Sequence, residues 1–287
     1  MVTVGELFTN VKALLKSAGI DTYRFDAQCI MEDCFGARLP VILTNSSAKT
    51  PDDVLENVRA MADKRVSGKP LQYILGQWEF YGYPFKVGEG VLIPRPDTET
   101  LVEKVIDYCK ENNLESPKIA DLCSGSGCIA VTLKKQLPKA QVFALELSDK
   151  AYAYLNKNAH LNNADIHTLK VDILSGGVAD SFENLDVIVS NPPYLTQTEM
   201  DELQTEVKYE PEMALFGGND GLDFYRQIPK LWKKALKTGG LMAFEIGCGQ
   251  ENDVAELLEK ENYINIEYTK DTADIFRVVS AVKKEDL

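Results

Sequence analysis

From about residue 117 onward, short apolar runs alternate with helical stretches of about 10–15 residues, which limits the fold more than any other feature. The runs are Ile119-Ala120-Asp121-Leu122, Val142-Phe143-Ala144-Leu145, Ile166 to Val171, Leu185-Asp186-Val187-Ile188-Val189 and Leu241-Met242-Ala243-Phe244. Near-continuous apolar strands are covered on both faces, and joining them through helices produces a mostly parallel sheet. The expected architecture is therefore α/β. Two late runs, around 263–269 and 275–281, have no helix between them. One of these is expected to pair antiparallel at the end of the sheet.

The part before this alternation reads differently. A chain of 287 residues suggests about two domains. Thr3 and Glu6 have the spacing of a capping box, followed by Leu7, Val11, Leu14, Leu15 and Ala18 on one helical face and Gly19 as a stop. A second helix is expected from Asp21 to Phe35, closed by Gly36. A third opens at Thr50-Pro51-Asp52-Asp53 and ends near Gly68. Then Gln77 to Tyr81 and Tyr83 to Val87 flank Gly82, predicting an aromatic-rich β-hairpin. The rigid turn Ile93-Pro94-Arg95-Pro96-Asp97-Thr98-Glu99 feeds a helix whose apolar face is Leu101, Val102, Val105 and Ile106. The expected division is a helical domain over 1–75, a hairpin linker over 76–95 and an α/β domain over 96–287.

Charge and composition exclude several functions. With 31 Lys and Arg against 44 Asp and Glu, the net charge is −13. Nonspecific binding to phosphate backbones depends on clustered cations that release counterions, so no direct nucleic-acid binding is expected. No apolar stretch is long enough to span a bilayer, and the first residues lack a basic region followed by an apolar one. The six cysteines are scattered without a C-x-x-C pair, as in proteins of a reducing compartment. Only two histidines are present, which leaves little for a His-based metal site or a Ser-His-Asp triad. A cytoplasmic protein without a metal is expected.

In an open α/β sheet, ligands bind beyond the carboxyl ends of the strands. The first run is followed by Cys123-Ser124-Gly125-Ser126-Gly127, where glycines let backbone N–H groups approach a ligand. Read alone, this is also ordinary turn geometry. Glu146 follows the second run, about 20 residues after Gly125, where an acid can take ribose hydroxyls. It also suits a solvated helix start. Asp172, with Ile173, follows the third run and has the same alternative as a turn residue. The fourth run leads into Asn191-Pro192-Pro193-Tyr194. Its prolines stiffen the backbone, and the Asn191 side chain and Pro192 carbonyl offer two acceptors for the hydrogens of a planar NH₂ group. Tyr194 offers a flat face for stacking.

These segments, together with Pro70-Leu71-Gln72-Tyr73-Ile74-Leu75-Gly76, Gly217-Gly218-Asn219-Asp220-Gly221-Leu222 and Phe244-Glu245-Ile246-Gly247, resemble the PrmC/HemK family over essentially the whole chain. That family comprises S-adenosyl-L-methionine-dependent methyltransferases that modify the glutamine of the Gly-Gly-Gln motif in peptide-chain release factors. The resemblance implies a Rossmann-like class I methyltransferase domain, with a seven-stranded sheet, after a helical substrate-docking domain. It implies that Cys123, Ser124, Gly125, Ser126 and Gly127 contact the methionine part of the cofactor, and that Glu146 binds the ribose. Asp172 and Ile173 would border the adenine. Asn191, Pro192, Pro193 and Tyr194 would hold the glutamine amide, with Asn191, Pro192 and Tyr194 acting in catalysis. Two positions depart from the family's habit: Cys123 stands where glycine is usual, and Glu146 where aspartate is frequent.

Three rivals share parts of this pattern. An adenine-N6 methyltransferase also handles a planar NH₂, but the acidic charge opposes it. A nicotinamide dehydrogenase would require a glycine at position 123. A binding module that has lost activity would have little reason to keep both the Gly-rich turn and the Asn-Pro-Pro-Tyr element.

Overall fold

Thr3 closes the first helix as anticipated: its hydroxyl accepts from the Glu6 N–H, and the Glu6 carboxylate accepts from the Thr3 N–H at 2.8 Å. The computed structural model describes residues 1–285. It divides the chain into two units, one of Met1–Gly76 with Gln204–Tyr209, the other of Gln77–Leu203 with Glu210–Leu287.

The first unit is helical: α1 (Val4–Ser17), α2 (Tyr23–Phe35), α3 (Leu39–Leu43), α4 (Asp52–Val66) and α5 (Leu71–Leu75). Helices α1, α2 and α4 pack on one another, burying Leu7, Val11, Leu15, Ala27, Ile30, Met31, Val58 and Ala62. Leu14 and Ala18 fall off this face and are exposed, because the apolar stripe is the narrower one through Val4, Leu7, Val11 and Leu15. Pro51, not Thr50, occupies the cap of α4; Thr50 is buried ahead of the helix, where its N–H meets the Val2 carbonyl. Arg65 is buried beside Asp26 at 2.7 Å and also pairs with Glu206.

The second unit begins with a hairpin, β1 (Gln77–Phe80) and β2 (Tyr83–Lys86). Its two-residue turn, Tyr81-Gly82, has φ of 52° and 75°. Such positive pairs match the natural twist of hairpin strands, and glycine adopts one of them at no steric cost. Then follow α6 (Thr98–Glu111), β3 (Lys118–Leu122), α7 (Cys128–Gln136), β4 (Gln141–Glu146), α8 (Asp149–Leu161), β5 (His167–Lys170) and β6 (Leu185–Ser190). After the short α9 (Gln197–Asp201) come α10 (Asp223–Trp232), β7 (Leu236–Glu245), α11 (Glu251–Lys260), β8 (Tyr263–Lys270) and β9 (Phe276–Lys283).

The seven-stranded sheet has the order β5-β4-β3-β6-β7-β9-β8, and its first five strands are parallel. The period of two along each strand divides the core. Ile119, Val187 and Val189 face the α6–α7–α8 side, whereas Ala120, Leu122 and Ile188 face the α10–α11 side. All six residues of β6 are buried, as expected for a central strand. The antiparallel strand is β9, inserted between β7 and β8 and antiparallel to both, so β8 forms the rim. Strand order reverses between β3 and β6, which opens a crevice at their carboxyl ends. Among the described residues, no helix is long and apolar enough to cross a membrane.

Candidate active site

At that reversal lies a cavity of about 360 Å³, bordered by Cys123, Gly125, Glu146, Asp172, Ile173, Asn191 and Pro193 among others. The carboxyl ends of β3, β4, β5 and β6 thus converge on one space. Of the turn after β3, only Cys123 and Gly125 border it. Ser124 is buried and its hydroxyl donates to the Asp121 carbonyl at 2.9 Å. Ser126 is buried with its carbonyl accepting from Asn158 at 2.9 Å, and Gly127 starts α7. Cys123 has φ of 63°, the left-handed region that glycine tolerates best. Its thiol pKa is raised by burial first and then by the nearby Glu146 charge, so it is held as a neutral thiol.

Glu146 is buried at the end of β4. Its carboxylate accepts from the Gly125 N–H at 2.8 Å and from the Ser148 N–H at 2.7 Å. Each oxygen is oriented by one backbone donor and retains acceptor capacity. Asp172 is exposed, with its carboxylate accepting from the Leu174 N–H at 2.9 Å, and Ile173 beside it is buried. Asp121, beneath the Gly-rich turn, accepts from the Ala130 N–H near the start of α7. Burial raises its pKa to about 8, against the lowering influence of Ser124 and Ala130.

The Asn-Pro-Pro-Tyr element is held from behind. Leu195 N–H donates to the Leu215 carbonyl at 2.8 Å, and Gly217 N–H donates to the Leu195 carbonyl at 2.9 Å. Gln250 Nε2 donates to the Tyr194 carbonyl at 3.1 Å. The backbone approaches closely here: a Cβ on Gly217 would lie 2.6 Å from the Pro193 carbonyl oxygen, and one on Gly221 only 2.2 Å from that of Tyr194. The Gly217 to Leu222 segment, whose role the sequence alone did not reveal, is the buttress of the tetrapeptide. Pro192 and Tyr194 do not border the cavity: Pro192 is buried and Tyr194 half-buried. Burial, then the Glu245 charge, pushes the Tyr194 hydroxyl up to about 12.

Two groups beside Asn191, Thr98 and Glu245, lie in sequence motifs to which the pattern alone gives no role. The Asn191 Nδ2 donates to the Thr98 hydroxyl oxygen at 3.3 Å. Glu245, at the end of β7 and next to Asn191 across the β6–β7 pairing, is buried, and its Oε2 has no hydrogen-bond partner among the described residues. Desolvation raises its pKa to about 7, against the lowering influence of neighbouring Thr98, Arg277 and Asn191. A further wall comes from two segments tied by Glu210. Its carboxylate accepts from the Ile93 N–H at 2.9 Å and pairs with Arg95. That brings Val91 and Leu92 together with Pro211, Met213 and Phe216 around the cavity.

The chemistry of the lining suits S-adenosyl-L-methionine. Glu146 offers oriented acceptors for a ribose diol, buried Ile173 offers an apolar surface for a purine, and two carboxylates favour a cation.

Residues 6–76 match the model of the PrmC N-terminal domain, and residues 98–209 that of the methyltransferase small domain. The release factor glutamine methyltransferase of Clostridium acetobutylicum is 38% identical over 273 residues, covering 94% of this chain and 95% of that protein. The protein of the same name from Flavobacterium psychrophilum is 44% identical over 230 residues, covering 77% and 80%. The fold is shared with the hMettl16 catalytic domain, with a TM-score of 0.60 at 18% identity over 77% of this chain and 84% of that one. A methyltransferase from Pyrococcus furiosus gives 0.52 at 18% identity, covering 80% and 98%. With its two family segments in order and relatives aligned along nearly the full length, the chain belongs to the release factor glutamine methyltransferase family.

Proposed function

We propose that this enzyme transfers a methyl group from S-adenosyl-L-methionine to the side-chain amide nitrogen of the glutamine in the Gly-Gly-Gln motif of class I peptide-chain release factors, in the cytoplasm, leaving S-adenosyl-L-homocysteine. The observation that carries this reading is the juxtaposition of Asn191 and Pro193 with Cys123, Gly125 and Glu146 around one cavity.

The cofactor supplies an electrophilic methyl on a positively charged sulfur. The residues of the chain then have to place a weak nucleophile. An amide nitrogen is poor in electron density because its lone pair is delocalised into the carbonyl. The Asn191 side-chain oxygen, on the cavity lining, and the carbonyl of Pro192, next to it in the chain but off that lining, accept its two N–H bonds, which increases density on nitrogen and fixes its direction. Cys123, Gly125 and Glu146 would hold the donor beside that nitrogen, with Ser124, Ser126 and Gly127 shaping the turn behind them. Asp172 and Ile173 border the adenine, while Pro193 and Tyr194 keep the tetrapeptide in place. Bound there, the cofactor would supply the methyl as its carbon–sulfur bond gives way to the new nitrogen–carbon bond, and the amide proton would leave to water. Positioning and electrostatics suffice, so no histidine base is needed.

Asn191→Ala is expected to lower kcat by roughly 100-fold or more, while affinity for the cofactor, measured by calorimetry, falls far less. An unchanged kcat in this variant overturns the assignment.

A further inference from the structure

We propose that Thr98 and Glu245 are positioning residues that fix which end of the Asn191 amide faces the substrate. The inference rests on the reading of Asn191 as an acceptor for the substrate NH₂. An asparagine side chain presents an oxygen on one side and an NH₂ on the other, of nearly equal size, and either can occupy a given place. If its NH₂ faced the substrate, two donors would oppose each other and the glutamine would be repelled. Something must select the productive orientation.

The neighbours of Asn191 do so. Its Nδ2 donates to Thr98 Oγ1 at 3.3 Å. Glu245 follows Phe244, which pairs with the Ser190 that precedes Asn191 on the neighbouring strand, so its buried carboxylate stands beside this pair as the acceptor for the one hydrogen of the Thr98 hydroxyl. With its single proton directed at Glu245, Thr98 has only lone pairs to offer Asn191, so the amide must present its NH₂ there. The Oδ1 is left for the cavity that Asn191 borders. Thr98 and Glu245 are both buried, so water does not scramble this order. The Glu245 Oε2 has no hydrogen-bond partner among the described residues, which is uncommon for a buried carboxylate. Burying an acceptor at that cost is understandable if its charge polarises the relay toward Asn191.

The relay joins three segments far apart in the chain. Thr98 begins α6, directly after the Ile93 to Asp97 turn; Asn191 follows β6; Glu245 ends β7. The groups facing the carboxylate are Asp97 and Thr98 from the start of α6, Arg277 from β9 and Asn191, with Tyr194, Tyr225 and Cys128 also sensing its charge.

The test uses the full-length enzyme and an intact release factor. Thr98→Val keeps the volume and removes the relay. It is expected to lower kcat on the order of 10- to 100-fold, with calorimetric affinity for S-adenosyl-L-homocysteine and the thermal midpoint close to those of the parent. Thr98→Ser, which retains the hydroxyl, restores most of the rate. Glu245→Gln, whose amide can donate as well as accept, lowers kcat several-fold at unchanged cofactor affinity. Loss of rate in Asn191→Ala with full rate in Thr98→Val and Glu245→Gln overturns the relay while leaving the role of Asn191 standing. Full rate in Asn191→Ala removes both. A fall in cofactor affinity or thermal midpoint that accounts for the rate loss in Thr98→Val also overturns the relay, since that is the signature of a structural role.

Discussion

Cys123 pays a conformational cost at the lip of the cavity. A left-handed backbone brings Cβ close to the following carbonyl, at about 1–2 kcal/mol for a residue other than glycine. Glycine removes that strain but gains freedom in the unfolded chain worth about 0.5–1 kcal/mol. Cys123→Gly is therefore expected to change stability by less than about 1 kcal/mol, whereas β-branched Cys123→Val costs about 2–3 kcal/mol. Urea denaturation midpoints check both. Asp121 makes a second residue-scale prediction. Its folded-state pKa, raised to about 8 by burial, exceeds that of an exposed carboxyl. The stability it confers as a neutral acid is complete below the unfolded value, about 4, and is lost as pH rises through about 8. The buried Glu245, raised to about 7, acts with the same sign. The thermal midpoint should fall as pH is raised across this window, and Asp121→Asn should flatten the profile. Both residues lie in recognisable sequence motifs, but their desolvation arises from neighbours distant in sequence.

At the scale of elements, the alternating apolar runs predict β3, β4, β6 and β7 because a strand buried on both faces leaves a local mark in composition. The order of the last two strands left no such mark. Whether β9 lies inside or outside β8 depends on pairing across the sheet, which neighbours in sequence do not report. Apolar periodicity overstates the buried face of α1 for a related reason, since Leu14 is apolar yet lies beyond the contact with α2 and α4. The Gly217 to Leu222 segment is the clearest case of a motif visible before its cause. Its glycines are required by the Pro193–Tyr194 backbone pressed against them, a contact made only after folding. Gly221 has φ of 74° as well, so Gly221→Ala carries both strain and a backbone clash. It is expected to destabilise the protein by about 2 kcal/mol or more and to lower kcat with a smaller effect on cofactor affinity. Denaturation and kinetics on one preparation measure both effects.

For the whole molecule, the acidic charge bears on which substrates the enzyme takes. A net charge of −13 gives no general attraction to nucleic acid, while a protein substrate can be recognised by surfaces outside the cavity. We assign that docking to the helical unit, whose sequence matches the PrmC N-terminal domain. Removing residues 1–68 should impair methylation of an intact release factor far more than that of a short Gly-Gly-Gln peptide; equal losses on both contradict the assignment. The central claim, that Asn191 presents its oxygen to a glutamine NH₂ beside the methyl donor, is tested most directly by incubating the enzyme with methyl-labelled cofactor and intact release factor, then mapping the label by mass spectrometry. The parent enzyme should place it on the amide nitrogen of the Gly-Gly-Gln glutamine, and Asn191→Ala should leave that residue essentially unlabelled. Label on another residue, or equal labelling by both proteins, would contradict it.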